Sequence, residues 1–429
     1  MSIDVGSTAG LLRSLREVNG LVVTNITGDV FGHVISEIDN YARLRISGEV
    51  SQETPCMLFA SPDKMIKSIL EMFPEMFEIA SLKFVSKLFS EQIVNCHPEL
   101  GLDVGLSSYK ISPPARGYAH AEFEENRVFY RTDFINGIYS DMIKYFKRIK
   151  ATPDFHPLRI EAPCPAALHE FLGTAGQPIV VMHQRKVISA GTKIISGDDL
   201  YVPTLEYLKD NNYTIVFSGR EQFPDDWRKY GVIDYANSKH ASVKNDFHLY
   251  RIAKFGLLAA AGVNLLAETQ CMPYVQINSS QGAVPTYSMN SIMLPSMWND
   301  NETSQMGSAA KHIQSNLVFG VGFASSMSMQ SITSQDLLSA TQELEQLIED
   351  WTPRTELQNK WIKTGKDIWE GRTLTNGRSL WDDIGFGVKP WIGGNDELLN
   401  GQNEESLLTL ADSRISQNFL ERHQEVLFD

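Results

Sequence analysis

An α/β fold in two lobes, followed by a mainly helical C-terminal extension, is what the sequence predicts, and three observations predict it. The chain has 429 residues, more than one hydrophobic core usually serves, so two domains of about 150 to 200 residues are expected. Short β-branched runs alternate with stretches of helical periodicity, first from residue 21 and again, more regularly, from residue 178. Beyond residue 330 the apolar spacing is mainly helical. The division that follows is 1–160 for the first lobe, 161–330 for the second and 331–429 for the extension.

The first lobe opens with LVVTNI, a Gly-containing turn, and a helix whose apolar positions are Val34, Ile38 and Tyr41, joined by the stem of Arg45. A second unit lies in CMLFASPDKMIKSILEMF, where 57–60 is a short apolar strand and Ser61-Pro62 opens a helix. Two successive strand-helix units call for a parallel sheet. Residues 101–177 are rich in Pro, Gly and aromatic side chains, with a helical stretch near FINGIYSDMIKYFKRI. Pro153, Pro157, Pro163 and Pro165 mark 150–177 as the linker between lobes.

The second lobe is clearer. Strands are expected at 178–185, 213–220, 231–237, 255–262 and 273–279, with helices at 198–212, around VKNDFHLYRIAK and at VNLLAETQ. That pitch predicts a doubly wound, Rossmann-like lobe, in which ligands bind beyond the carboxyl ends of the strands. His183, Arg185, Ser218, Gly219, Arg220, Asp234 and Gly262 then share one rim. The extension holds LLSATQELEQLIEDW, a Trp-rich polar stretch over 361–391 and a final amphipathic helix near ISQNFLERHQEVLF.

Composition narrows the class. With 42% hydrophobic and 21% charged residues the chain is globular. Cys56, Cys96, Cys164 and Cys271 form no Cys-x-x-Cys pair, which argues against a disulfide framework or a zinc knuckle. The first twenty residues lack the basic start and apolar run of a secretory signal, so the expected location is the cytoplasm. No apolar run is long enough to span a membrane, which leaves only peripheral contact with one open. A net charge of −14 and a pI near 5.2 disfavour nucleic acid as a partner. KYFKRIK at 144–150 reads as the solvated end of a helix.

A nucleotide diphosphate needs backbone amides at a helix N-terminus, cationic side chains and close backbone approach. Ala261-Gly262 ends a strand and opens a helix, while Arg185 and Arg220 each follow an apolar strand. The bland alternatives are a plain strand-to-helix turn and, for His183, a satisfied core histidine. No Asp-x-Asp triplet occurs to chelate a bridging cation, so charge on a leaving diphosphate would fall to Arg and helix amides, with no metal or cofactor. Gly28 and Gly32 do not fit Gly-x-Gly-x-x-Gly, which disfavours a dinucleotide dehydrogenase. Gly-x-Ser-x-Gly, a Walker sequence and His-Glu-x-x-His are absent too.

Several of these residues together resemble a family of bacterial glycosyltransferases of surface polysaccharide synthesis, with a fucosyltransferase-like second lobe of the GT-B type. The matching positions are His183-Gln184-Arg185, the helix from Val202-Pro203 through Glu206-Tyr207-Leu208, Ser218-Gly219-Arg220, and Asp234-Tyr235-Ala236-Asn237-Ser238 with Ser242 and Asp246. Ala261-Gly262, Pro273 and Asn278 follow the family's next turn and strand, and Gly32-His33-Val34 with Glu37 resembles its N-terminal motif. The sequence departs from the pattern at Lys186, Ala241, Val243 and Ala261.

The resemblance implies two Rossmann-like lobes facing a cleft, a nucleotide-sugar donor on the second and a glycan or other acceptor approached from the first. It implies Arg185 as a diphosphate partner, Gly262 with Asn264 as helix-terminus donors, and Ser238, Ser242 and Asp246 as nucleotide or sugar contacts, beside Tyr235. His33 is the implied catalytic base, with Glu37 near it. Two other readings share the architecture: a sugar-nucleotide epimerase or hydrolase, and a noncatalytic binding homologue. The extension would serve lobe closure or pairing of chains into a homo-oligomer.

Overall fold

In the computed structural model the chain divides into two compact units, Met1–Leu158 and Arg159–Asp429. The structure describes six strands and scattered positions between 31 and 158 in the first unit. In the second it describes 159–173, 176–185, 197–279, 291–300, 302–309, 327–371 and 414–428. The fold class is α/β.

The first unit contains a six-stranded sheet in the order β3-β2-β1-β5-β6-β4. Strands β1 (Val22–Ile26), β2 (Cys56–Ala60) and β3 (Phe77–Ile79) pair in parallel, as expected from the two strand-helix units. The other half is different in kind. Strand β4 (Asp103–Val104) pairs in parallel with β6 (Arg127–Arg131), and β5 (Tyr118–Glu124) runs antiparallel to both β6 and β1. Strands β5 and β6 form a hairpin whose last pair is Glu124 opposite Arg127, so a stretch to which the sequence assigns no strand extends a mixed sheet. After β1, helical positions Ile35, Asp39 and Ala42 recur every three or four residues and are buried, with Arg43 beside them. Buried Arg43 makes three hydrogen bonds: its Nε donates to Asp39 Oδ2 at 2.7 Å, and its Nη1 to Thr152 Oγ1 at 2.7 Å and to Thr152 O at 3.1 Å. Val34, Ile38, Tyr41 and Arg45 lie outside the described residues.

In the second unit, strands β7 (Ile179–His183), β8 (Thr214–Phe217), β9 (Ile233–Asp234), β10 (Phe255–Ala259), β11 (Tyr274–Ser279) and β12 (Ile292–Pro295) form a parallel sheet ordered β12-β11-β10-β7-β8-β9. The chain moves outward from β7 through β8 and β9, returns to the far side of β7 as β10, and continues outward through β11 and β12. Its direction of winding therefore reverses between β7 and β10, and this is the doubly wound arrangement the sequence predicts. A small antiparallel pair, β13 (Met297–Asp300) and β14 (Met327–Gln330), follows.

All five residues of β7 and all five of β10 are buried, because a doubly wound sheet is covered on both faces. Val180, Met182, Ile215, Phe217, Leu257, Val275 and Ile277 turn to one face and join one cluster with Leu205 and Leu208 of α2 (Val202–Asp210). A 3-10 turn, Asp198–Tyr201, precedes α2, and its Tyr201 ring packs 5.1 Å from Trp227. Helices α3 (Val243–Ile252) and α4 (Val263–Thr269) link β9 to β10 and β10 to β11. The segment 150–177 is more than a linker: 166–172 forms α1 (Ala166–Leu172), which buries Leu168 and Leu172 and ends at Gly173 with φ of 60°.

The C-terminal helices belong to the same packed body. Helix α5 (Ser334–Glu349) buries Leu337, Ala340, Leu344 and Leu347 in the sheet's cluster, each leucine contributing roughly 2 kcal/mol. It opens with a reciprocal capping box between Thr333 and Asp336. Helix α6 (Glu356–Gly371) adds Trp361. Helices α7 (Gln417–Arg422) and α8 (Gln424–Phe428) add Phe419, Leu420 and Leu427. Glu343 of α5 caps α7 by accepting the Gln417 N–H at 2.9 Å and the Ser416 hydroxyl at 2.8 Å. No described helix is long and apolar enough to cross a membrane.

Candidate functional site

The winding reversal puts the candidate site at the carboxyl ends of β7 and β10 and their neighbour β8. His183 ends β7 and is buried, facing away from the cluster that takes Val180 and Met182. Beside it, the Ser218 N–H donates to Met182 O at 2.8 Å, and the Tyr250 hydroxyl of α3 lies 3.1 Å from Ser218 Oγ. Gly219 has φ of +110°, and a Cβ there would stand 2.7 Å from His183 Cδ2. Only glycine allows this backbone to close on the imidazole. Gln184, wholly buried, donates from Nε2 to Asp198 Oδ1 at 2.8 Å and ties the end of β7 to the turn before α2.

Arg185 and Arg220 follow neighbouring strands, since Met182 is paired with Phe217 in the register of β7 and β8. Arg185 is half-buried; burial lowers its pKa from the usual guanidinium value, and the charge of Glu221 opposes that shift. Arg220 is exposed, and its charge acts on Asp246. Asp246 sits in the first turn of α3, where its Oδ1 accepts the Tyr235 hydroxyl at 2.8 Å. Burial pushes its carboxyl up to about 7, against the downward pull of that hydrogen bond and of Arg220. Tyr235 is raised by its own burial and by Asp246. A carboxyl so shifted, with a cation acting on it, makes this rim the candidate site.

Other expected site residues have visible local work. Asp234 Oδ1 accepts the Asn237 N–H at 3.2 Å and the Asn237 amide at 2.8 Å, closing a turn after β9. Ser238 Oγ accepts the His240 N–H at 3.2 Å. Ser242 caps α3, its Oγ accepting the Asn245 N–H at 3.2 Å, and its own N–H donates to the Tyr235 hydroxyl at 3.3 Å. Asn264 is fully buried; its side-chain amide, turned inward, donates to the carbonyls of Ala259 and Ala261 at 3.0 and 3.1 Å. It pins the β10–α4 turn from within. Gly262 is the N-cap of α4, with φ of −59° and no side-chain cap.

The structure thus brings His183, Ser218, Gly219, Arg185 and Arg220 to the ends of adjacent strands, with Tyr235 and Asp246 joined beside Arg220. His33 and Glu37 lie outside the described residues. Tyr250 and Gln184 were not among the expected site residues. Tyr250 had a signal, since it stands four positions after Asp246 and so shares its face of α3. Among the described residues no three His, Cys, Asp or Glu side chains gather as a metal site.

No family model matches the sequence, and no curated protein matches it. Among solved structures, the chain aligns with a glycosyl transferase family 9 protein from Veillonella parvula DSM 2008 at 14% identity and a TM-score of 0.45, over 76% of this chain and 96% of that one. It aligns with the ADP-heptose lipopolysaccharide heptosyltransferase II of E. coli at 11% identity and a TM-score of 0.46, over 77% and 99% of the two chains. The iron-containing dodecameric glycosyltransferase TibC of enterotoxigenic E. coli H10407 aligns at 12% identity and a TM-score of 0.39, over 64% and 62%. These likenesses are loose, and the architecture above stands on strand order and register alone.

Proposed function

We propose that the protein is a glycosyltransferase of the GT-B type that takes a sugar from a nucleotide-sugar donor and passes it to a glycan or other acceptor. The observation that carries the reading is the pair of arginines. Arg185 follows β7, which borders the winding reversal, and Arg220 follows its parallel neighbour β8; a fork of guanidinium donors there suits the oxygens of a diphosphate. Gly219 keeps the backbone close to His183 beside them. The α4 turn, which no side chain caps, adds backbone N–H groups.

In this reading Arg185 and Arg220 balance the charge that builds on the departing nucleoside diphosphate, without a metal ion. Asn264 supports the site by holding the β10–α4 turn. His33 is carried forward as the base for the acceptor hydroxyl on its sequence motif. A ligand that binds only the folded state must stabilise it, so the test is a thermal-shift screen against ADP-, GDP- and UDP-linked sugars with a chelator present. The expected result is a rise in melting temperature with at least one donor that the chelator leaves intact. No rise with any donor rejects the donor site, and a rise that the chelator removes rejects the metal-free mechanism.

A further inference from the structure

Gln184 is the first residue past β7, and its carboxamide side chain is wholly buried. A buried amide needs a partner. Its Nε2 donates to Asp198 Oδ1 at 2.8 Å, across a separation of 14 residues. Asp198 opens the 3-10 turn Asp198–Tyr201 that leads into α2, so the bond joins the point where the chain leaves β7 to the point where it enters α2. That turn is itself anchored, because Leu200 and Tyr201 are buried and the Tyr201 ring packs 5.1 Å from Trp227. An amide N–H donating to a carboxylate is also stronger than a bond between neutral groups.

The strand's alternation decides what this bond does to the next residue. Val180 and Met182 join the cluster that holds Leu205 and Leu208 of α2, and Gln184 follows them at the same two-residue spacing to reach the turn before that helix. A chain that commits Gln184 to the α2 side directs Arg185 to the opposite side, with His183. Arg220 takes its place from different elements: it follows Ser218, whose N–H donates to Met182 O at 2.8 Å, and Gly219, whose φ is +110°. Resting on the diphosphate role proposed for the two arginines, we propose that Gln184 and Asp198 are positioning residues for Arg185, a clamp that fixes the backbone at the end of β7 and so holds the guanidinium at the rim before a ligand arrives. They act through the residue that follows Gln184, and the ordering of Arg185 is completed in folding rather than in binding.

The test is a double-mutant cycle read by calorimetry, with ADP-, GDP- and UDP-linked sugars as the probes. Gln184→Leu keeps the side chain's size and removes its donor, and it should weaken binding by the wild-type protein about tenfold. Made in Arg185→Ala, the same change should weaken binding by less than about twofold more, because the residue it acts through is gone. Made in Arg220→Ala, it should still cost about tenfold. A merely structural role would weaken binding alike in every background. Asp198→Ala removes the same bond from the half-exposed partner and should match Gln184→Leu, which keeps the test available if the buried substitution does not fold. Asp198→Asn retains an acceptor oxygen, so its affinity should stay within about threefold of wild type. Equal losses in the wild-type and Arg185→Ala backgrounds would overturn the proposal, as would wild-type affinity in Gln184→Leu and Asp198→Ala. If the wild type itself binds none of the probes, the diphosphate reading fails, and the clamp with it.

Discussion

At the amino end of the second unit's sheet, two tyrosines, a lysine and two glutamates form one bonded set; past the carboxyl end lie two arginines, a positive-φ glycine and a hydrogen-bonded Tyr–Asp pair. Tyr213, just before β8, and Tyr207 of α2 both donate to the carboxylate of Glu345, Tyr207 at 2.5 Å. Lys254, just before β10, donates to the Tyr213 hydroxyl at 3.0 Å and lies 3.4 Å from Glu349. Burial and the Glu345 carboxylate raise the pKa of both phenols. This closed set fastens the far end of α5, whose near end is tied to the carboxyl end of β11 by Asn278 Oδ1 accepting the Ile332 N–H at 3.0 Å. The carboxyl rim has instead a glycine with positive φ, an α4 turn that no side chain caps, two arginines and a carboxyl near neutrality. The amino end fastens α5 through a shared carboxylate, while the carboxyl end gathers two arginines and a carboxyl near neutrality.

Substitutions at the two ends should therefore separate stability from affinity. The largest effect is expected for Glu345→Ala, which strips the shared acceptor from two phenols and a lysine. It should lower unfolding free energy by about 3 kcal/mol in urea melts while leaving the nucleotide-sugar Kd of the folded protein unchanged. Arg185→Ala and Arg220→Ala should show the reverse: binding about 10- to 100-fold weaker by calorimetry, with the unliganded melting temperature nearly that of wild type.

Gly219→Ala blurs the two ends, because a positive φ strains any Cβ and this one meets the His183 ring. About 1.5 kcal/mol of stability should be lost, and affinity should fall with the displacement of His183. Ser242→Ala is the smallest. Losing the α3 cap should cost about 1 kcal/mol, and if the serine's work is local, calorimetry will show donor affinity unchanged; a weakened Kd would return it to the ligand contacts.

Strands β7, β8, β10 and β11 were legible because burial on both faces leaves a continuous apolar run, and their order then located the rim. Arg185 and Arg220 stand out the same way, as cations after such runs, and the structure places them after the neighbouring strands β7 and β8. The hairpin β5–β6 was not found, because Pro, Gly and aromatic residues around it resemble irregular chain. Proline likewise made α1 look like linker, although Pro165 only opens it. The site is legible in part for a different reason. Asp, Ser and Asn serve equally well as ligand contacts, turn closers and helix caps, so the local hydrogen bonds of Asp234, Ser238 and Ser242 and the buried role of Asn264 are settled by tertiary placement, which spacing does not encode.

A crystal structure of the protein with a bound nucleoside diphosphate, grown without divalent metal, tests the central claim most directly. The prediction is a diphosphate lying past the ends of β7 and β10, with its oxygens hydrogen-bonded to the Arg185 and Arg220 guanidinium groups and to the Gly262 or Val263 N–H. A diphosphate bound elsewhere, or at this rim with both guanidinium groups turned away from it, would contradict the account.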